Sequence, residues 1–229
     1  MSQTASGQGS DSPCVDAGSD TVENLGLENS TTRTDEITDS GIADIGCHYV
    51  LSAATQKDDL IIAFGEGIGI WARYSNDSSW SQIHDLNLDS MVTGDLDGNK
   101  KDDLIIDFGD LYGIWTRYDN GAWEQFHDLN PDSMVTGDLD GDKKDDLIID
   151  FGDAYGIWAR YSNDSSWEQL HNLNPDSMVT GDLDGDKKDD LIIDFGDLYG
   201  IWTRYDDGTW EQFHDLNPEC MVTGDLDKK

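Results

Sequence analysis

From about residue 50 onward, short apolar runs alternate with short polar breaks, and the spacing is that of strands. In the second of four similar stretches, LIIDF (104–108) is almost continuously apolar, which predicts a strand buried on both faces. YGIWTRY (112–118) alternates, with Tyr112, Ile114, Thr116 and Tyr118 on one side and Trp115 and Arg117 on the other. Asp119-Asn120-Gly121 is a hairpin turn signal, because Asn and Gly tolerate positive φ. WEQFHDL (123–129) returns as a third strand, Asn130-Pro131-Asp132 breaks it, and SMVTGDL (133–139) makes a fourth.

The pattern recurs from Asp58, Asp102, Asp145 and Asp189, each opening with Asp-Asp-Leu-Ile-Ile, at spacings of 44, 43 and 44 residues. Four short strands in about 44 residues have the size of one propeller blade, whereas a stacked solenoid uses fewer residues per turn and no hairpins. The predicted fold is all-β: a β-propeller of four-stranded blades over 49–229, preceded by a short irregular N-terminal segment, 1–48. Copies one and three share YSNDSSW (74–80, 161–167), while copies two and four carry YDNGAW (118–123) and YDDGTW (205–210), so a pair was duplicated. The first copy opens with LSAATQKDDL and lacks the loop described next; the last ends in MVTGDLDKK, half of one. That last MVTGDL could serve as the outer strand of the first blade and close four blades. Two chains of four could instead form a homodimeric eight-blade ring, or the repeats could belong to a longer array. A ring left open would expose strand edges.

Between repeats lies an acidic loop: DLDGNKKDD (95–103), then DLDGDKKDD at 138–146 and 182–190. Side-chain oxygens fall at loop positions 1, 3, 5 and 9. These are Asp95, Asp97, Asn99 and Asp103; Asp138, Asp140, Asp142 and Asp146; Asp182, Asp184, Asp186 and Asp190. At position 7, Lys101, Lys144 and Lys188 would each offer a backbone carbonyl while the side chain points to water. Oxygen-only ligands at alternate positions of a tight turn suit a hard cation, and the absence of thiol or imidazole disfavours zinc and copper. Three Ca²⁺ sites are therefore expected, the one with Asn99 weakest for want of a carboxylate. The loop is not an EF-hand: position 12 is Ile106, not Glu, and strands flank it.

Composition bears on partners. Acidic residues number 49 against 14 basic ones, a formal net charge of −35, which repels nucleic acid and anionic membranes. No run of the ~20 apolar residues needed to cross a bilayer occurs, so no membrane insertion is expected. The opening MSQTASGQGSDS is small and polar, which predicts flexibility, and no basic-then-apolar leader precedes it. Cys14 and Cys47 could pair or remain free thiols; Cys220 stands where the other copies have Ser.

The D-x-D-G-D-x-x-x-D pattern followed by Leu-Ile-Ile, together with Phe-Gly at 64–65, 108–109, 151–152 and 195–196, resembles the FG-GAP/VCBS β-propeller repeats over residues ~50–229. The resemblance implies calcium in each blade's loop and a secreted or cell-surface protein. SPCVDAGS (12–19) and ADIGCHY (43–49) resemble the closing segment of secreted bacterial parallel β-helix proteins, which implies a piece of a longer exported protein.

Eight Trp recur as Trp71/Trp80, Trp115/Trp123, Trp158/Trp167 and Trp202/Trp210. They either pack between blades or stack on sugars, in which case Trp71, Trp115, Trp158 and Trp202, with Arg73, Arg117, Arg160 and Arg204 nearby, would form repeated pockets. His84, His127, His171 and His214, one per repeat, read as hydrogen-bonded structural residues. Asp107, Asp150 and Asp194, replaced by Ala63 in the first copy, read as inner-strand residues that hydrogen-bond a neighbouring blade or, as a carboxylate ring, line a central channel. No nucleophile elbow, phosphate loop or zinc motif occurs, so no enzyme is expected. The expected function is a calcium-binding module for adhesion or for recognition of a glycan or protein ligand. The alternatives are an accessory domain of a polysaccharide-degrading enzyme whose catalytic β-helix is missing, and a purely structural spacer.

Overall fold

The computed structural model describes residues 57–226 and two short antiparallel strands, β1 (Ser30–Thr31) and β2 (Tyr49–Val50). The expectations for the rest of 1–48, including a Cys14–Cys47 pair, lie outside the described residues. By its contacts the chain falls into two units, one taking Leu60 with the turn Tyr74–Ser79, the other Ile61–Arg73 and Trp80 onward.

The fold is all-β and built of antiparallel propeller blades; among the described residues no helix is long and apolar enough to cross a membrane. The first blade comprises β3 (Leu60–Ala63), β4 (Ile70–Arg73) and β5 (Trp80–His84). The second is β6 (Ser90–Gly94), β7 (Asp103–Asp107), β8 (Ile114–Arg117) and β9 (Trp123–His127). The third is β10 (Ser133–Gly137), β11 (Asp146–Asp150), β12 (Ile157–Arg160) and β13 (Trp167–His171). The fourth is β14 (Ser177–Gly181), β15 (Asp190–Asp194), β16 (Ile201–Arg204) and β17 (Trp210–His214). Each sheet runs in chain order, so every connection within a blade is a hairpin.

This order shifts the expected blade by one strand. SMVTG is the first strand of its blade, not the last, because it pairs with the DLIID that follows it: Ser133↔Asp150 through Gly137↔Asp146. The acidic loop therefore lies inside a blade, joining its first two strands. Thr136 Oγ1 donates to Thr93 O at 2.7 Å and Thr180 Oγ1 to Thr136 O at 2.6 Å, so β6, β10 and β14 stand side by side as the inner strands. Asp107, Asp150 and Asp194 end the second strands and are buried; Asp107 and Asp150 accept the N–H of Gly109 and Gly152. They line no channel wall as inner-strand residues.

The apolar second strands are explained by what flanks them. Ile105 of β7 packs toward the third blade, with Leu147, Ile149 and Phe151, while Leu104 and Ile106 pack toward the first, with Ile70. In the same way Ile148 joins Leu191 and Ile193 of the fourth blade. A strand clamped between neighbours has no solvent face, and alternation is lost. Leu147, Ile148 and Ile149 are 0% exposed.

Candidate functional site

Two structures recur at fixed places: an acidic loop at the first hairpin of the second, third and fourth blades, and an aromatic cluster at each junction between two described blades.

In the loop, the first aspartate organises the turn. Asp95 Oδ1 accepts the N–H groups of Gly98 and Asn99, and Oδ2 that of Lys100; Asp138 and Asp182 likewise accept from Gly141 and Lys143, and from Gly185 and Lys187. Lys100, Lys143 and Lys187 take φ of 69°, 70° and 77°, a left-handed conformation that side chains other than Gly, Asn or Asp adopt at a cost. The last aspartate comes from the strand. Asp103 is 1% exposed, accepting Asp119 N at 2.9 Å through one oxygen and Leu96 N at 3.1 Å through the other. Burial pushes the Asp103 carboxyl up to about 6 and that of Asp146 up to about 7; Asp190 is raised for the same reason.

Carboxylate oxygens converge within 4.8 Å of one another in three groups: Asp95, Asp97 and Asp103; Asp138, Asp140 and Asp146; Asp182, Asp184 and Asp186. Each group could hold a metal ion. The structure thus gathers positions 1, 3 and 9 in two loops and 1, 3 and 5 in the third. At position 5, Asn99 Nδ2 donates to Asp119 at 2.9 Å, while Asp142 and Asp186 each accept the N–H of the lysine two residues on. The position-7 lysines point to water only in part, the Lys101 side chain being 66% exposed and that of Lys188 35%. Lys101 Nζ reaches Asp119 at 3.2 Å, Lys188 Nζ reaches Asp206 at 2.6 Å, and the Lys144 stem lies over Gly98 in the preceding blade's loop.

The aromatic cluster joins two blades. His127, at the end of β9, meets Phe151 of the next blade at 4.9 Å between centroids and Trp167 at 5.4 Å, edge on. The same triad repeats as His84, Phe108 and Trp123, and as His171, Phe195 and Trp210. His127 Nδ1 accepts Leu129 N, which leaves the ring's hydrogen on Nε2 in the neutral form. Burial lowers the His171 pKa.

Trp158 is fixed by a second device. Ile157 pairs with His171 but Trp158 with Gln169, so the outer strand bulges at Leu170. The Trp158 indole N–H and Gln169 Nε2 both donate to Tyr155 O, at 2.9 and 2.8 Å. Trp71, Trp115 and Trp202 are tied to Ile68, Tyr112 and Tyr199 in the same way. The turn beneath requires glycine: Gly156 has φ 69°, and a Cβ there would collide with His171 O. The resulting cavity, 320 Å³, is lined by His127, Leu129, Phe151, Tyr155, Trp158 and Trp167. A second, of 370 Å³, is lined by Phe64, Ile68, Trp71 and Trp80.

The arginines stand apart from these cavities. Arg160 lies over the Phe126 ring at 3.7 Å and 3.6 Å from Glu124; Arg204 is 3.8 Å from Glu168. They bridge the third strand of one blade to the outer strand of the blade before it, and Tyr118 and Tyr161 donate to the other oxygen of Glu124 and Glu168. Sequence reasoning passed over Phe151 and Leu129 as cavity residues, and took His127 only as structural. The signal was their recurrence at one period, but their meeting depends on which blades adjoin.

No family model matches the sequence, and no curated protein matches it either. Among solved structures, a lectin of Agrocybe aegerita that specifically recognises non-reducing terminal N-acetylglucosamine is similar in fold. It has a TM-score of 0.51 and 21% sequence identity, over 76% of this chain and 53% of the lectin chain. The chain thus spans about half the length of that lectin.

Proposed function

We propose that this chain is a calcium-binding β-propeller module of a secreted or cell-surface protein, of FG-GAP/VCBS type, that recognises glycans for adhesion. The observation that carries glycan recognition is the cavity walled by Trp158, Trp167, Phe151 and Tyr155. Aromatic faces held at fixed angles match the C–H faces of a pyranose, and the Trp158 indole N–H is already committed to Tyr155 O, so the ring offers its face. Repetition of the arrangement at successive blades allows multivalent contact, which strengthens weak single-site binding. The fold shared with a terminal N-acetylglucosamine lectin makes sugars with that terminus the first to test.

Calcium has a supporting role in this reading. Each three-aspartate group concentrates negative charge in a turn where one residue is already strained to positive φ. A hard divalent cation neutralises that charge and fixes the hairpin joining inner and second strands. The ion would be held by Asp95, Asp97 and Asp103 and their counterparts, with no part in any chemistry.

Binding of N-acetylglucosamine-terminated oligosaccharides, followed by calorimetry with and without calcium, tests the reading. Saturable binding that Trp158→Ala weakens at least tenfold supports it. A glycan array without a hit would remove the glycan and leave the protein-ligand reading.

A further inference from the structure

The cavity of the third blade lies at the end of the strands where β11 turns into β12. That turn, 151–156, supplies Phe151 and Tyr155 to the lining; Trp158 of β12 and Trp167 of β13 complete the aromatic wall. No lysine, arginine or side-chain amide lines the cavity. The polar groups of the lining are the Tyr155 hydroxyl, the His127 ring and the Trp167 indole N–H, the Trp158 N–H being committed to Tyr155 O.

Carboxylates flank the same turn. Asp150 ends β11 and is buried, and Asp153 is exposed within the turn. Asp132, just before β10, comes close enough that a Cβ on Gly152 would lie 2.7 Å from its Oδ2. Burial first, then the charges of Asp132 and Asp153, push the Asp150 carboxyl up to about 6. The trio recurs as Asp107, Asp89 and Asp110 in the second blade and as Asp194, Asp176 and Asp197 in the fourth, where burial and then the two neighbours again raise the first member.

Positive charge is kept at the other end of the strands. In the second, third and fourth blades every lysine stands in an acidic loop, before the second strand. Every arginine there ends the third strand, beside the start of the second: Leu104↔Arg117, Leu147↔Arg160 and Leu191↔Arg204. From Leu147 to Phe151 is four residues of chain, about 13 Å at ~3.3 Å each. That exceeds the ~8 Å over which exposed charges are felt in physiological salt. The carboxylates beside the cavity are therefore not offset by the arginines.

We propose that the sugar taken by this cavity is a hexosamine with a free, protonated amine, at the end of a glycan, and that its ammonium group lies against the aromatic faces beside the carboxylate trio. This deepens the glycan reading and rests on it.

An ammonium is drawn to the face of Trp, Tyr or Phe by the ring quadrupole. With its N–H occupied, Trp158 has its ring left to offer. The uncompensated carboxylates add to that attraction, and the net charge of −35 concentrates cations around the chain before they dock. A neutral N-acetyl sugar gains nothing from these charges, and a sugar bearing carboxylate or sulfate is repelled by them. The cavity, 320 Å³, is at the small end of ligand sites, about 300–1,000 Å³, which suits one terminal ring rather than a stretch of chain.

Calorimetry on the full chain tests this with two trisaccharides that differ in one group, a terminal glucosamine and the same terminus N-acetylated. The amine form should bind about tenfold tighter at low salt, the size of one good cation–π contact, and high salt should shrink that advantage several-fold. Asp153→Asn should weaken the amine form several-fold more than the acetylated one. Trp158→Ala should weaken the amine form at least tenfold, which separates the cavity from general attraction to an acidic chain. Should a variant fail to fold, the paired sugars on the unsubstituted protein still decide. Equal or tighter binding of the acetylated form overturns the proposal and leaves the glycan reading standing. A preference that salt does not change, or amine binding that survives Trp158→Ala, also overturns it. Binding of neither sugar removes both.

Discussion

The third blade and the first share the sequence Asp-Asp-Leu-Ile-Ile, yet it is buried in one and half bare in the other. Leu147 is 0% exposed and Leu60 53%. The third blade has an inner strand to one side of β11 and a blade against each face; among the described residues no inner strand pairs with β3. Identical residues therefore contribute differently because neighbours, not composition, remove them from water. The acidic loop divides the same two regions: it joins β10 to β11, and no described loop precedes β3.

The widest separation should come from calcium. At free calcium about a hundredfold above Kd, each occupied loop adds about 2.7 kcal/mol, so three loops add up to about 8 kcal/mol. Thermal unfolding with calcium, with magnesium and with chelator measures this. Asp140→Ala should remove one loop's share, and a shift equal for calcium and magnesium would contradict a site built for the larger ion.

Cavity formation comes next. Leu147→Ala should cost about 3 kcal/mol in urea unfolding, the usual loss for a large side chain removed from a packed core. Leu60→Ala in a lone chain should cost under about 1 kcal/mol, because half of that side chain already meets water. Equal losses at the two positions would mean that β3 is covered in solution.

The pH response sharpens the contrast further. Burial raises Asp150 to about 6, Asp103 to about 6 and Asp146 to about 7, whereas the first blade has Ala63 in place of Asp150. A carboxyl whose pKa is higher folded than unfolded favours the fold when protonated. Its stabilisation is complete below the unfolded value near ~4 and is lost as pH rises through the folded one. Calcium-free protein should therefore melt several degrees higher at pH 5 than at pH 8. Asp150→Asn should flatten part of that slope, and calcium should stabilise less as pH falls through 7 to 6, since it needs the ionised loop.

The smallest effect is expected at the arginines that end the third strands. Arg160 is 7% exposed and covers Phe126, so Arg160→Lys should cost about 1 kcal/mol through loss of the planar contact. Arg73→Lys in the first blade should cost less, and the comparison by chemical denaturation is direct.

Much of this was legible in the chain itself. The strand runs, the hairpin turns and the blade repeat follow from local chemistry: Asn and Gly at positive φ, Pro at breaks, β-branched and aromatic residues between. The aspartates of each loop lie within nine residues, so their convergence needs only one tight turn. What the sequence could not decide was the order of strands around a blade. SMVTG follows one DLIID and precedes another in a repeating chain, and either could be its partner; the ladder to the one after it places the loop inside the blade. Nor could it decide that His127 meets Phe151, or that Arg160 turns to Phe126 rather than to a cavity, because those contacts cross between blades. Periodic sequence determines the unit from local conformational preference. Only packing against neighbours decides where each unit begins, which faces are covered and which edges stay open.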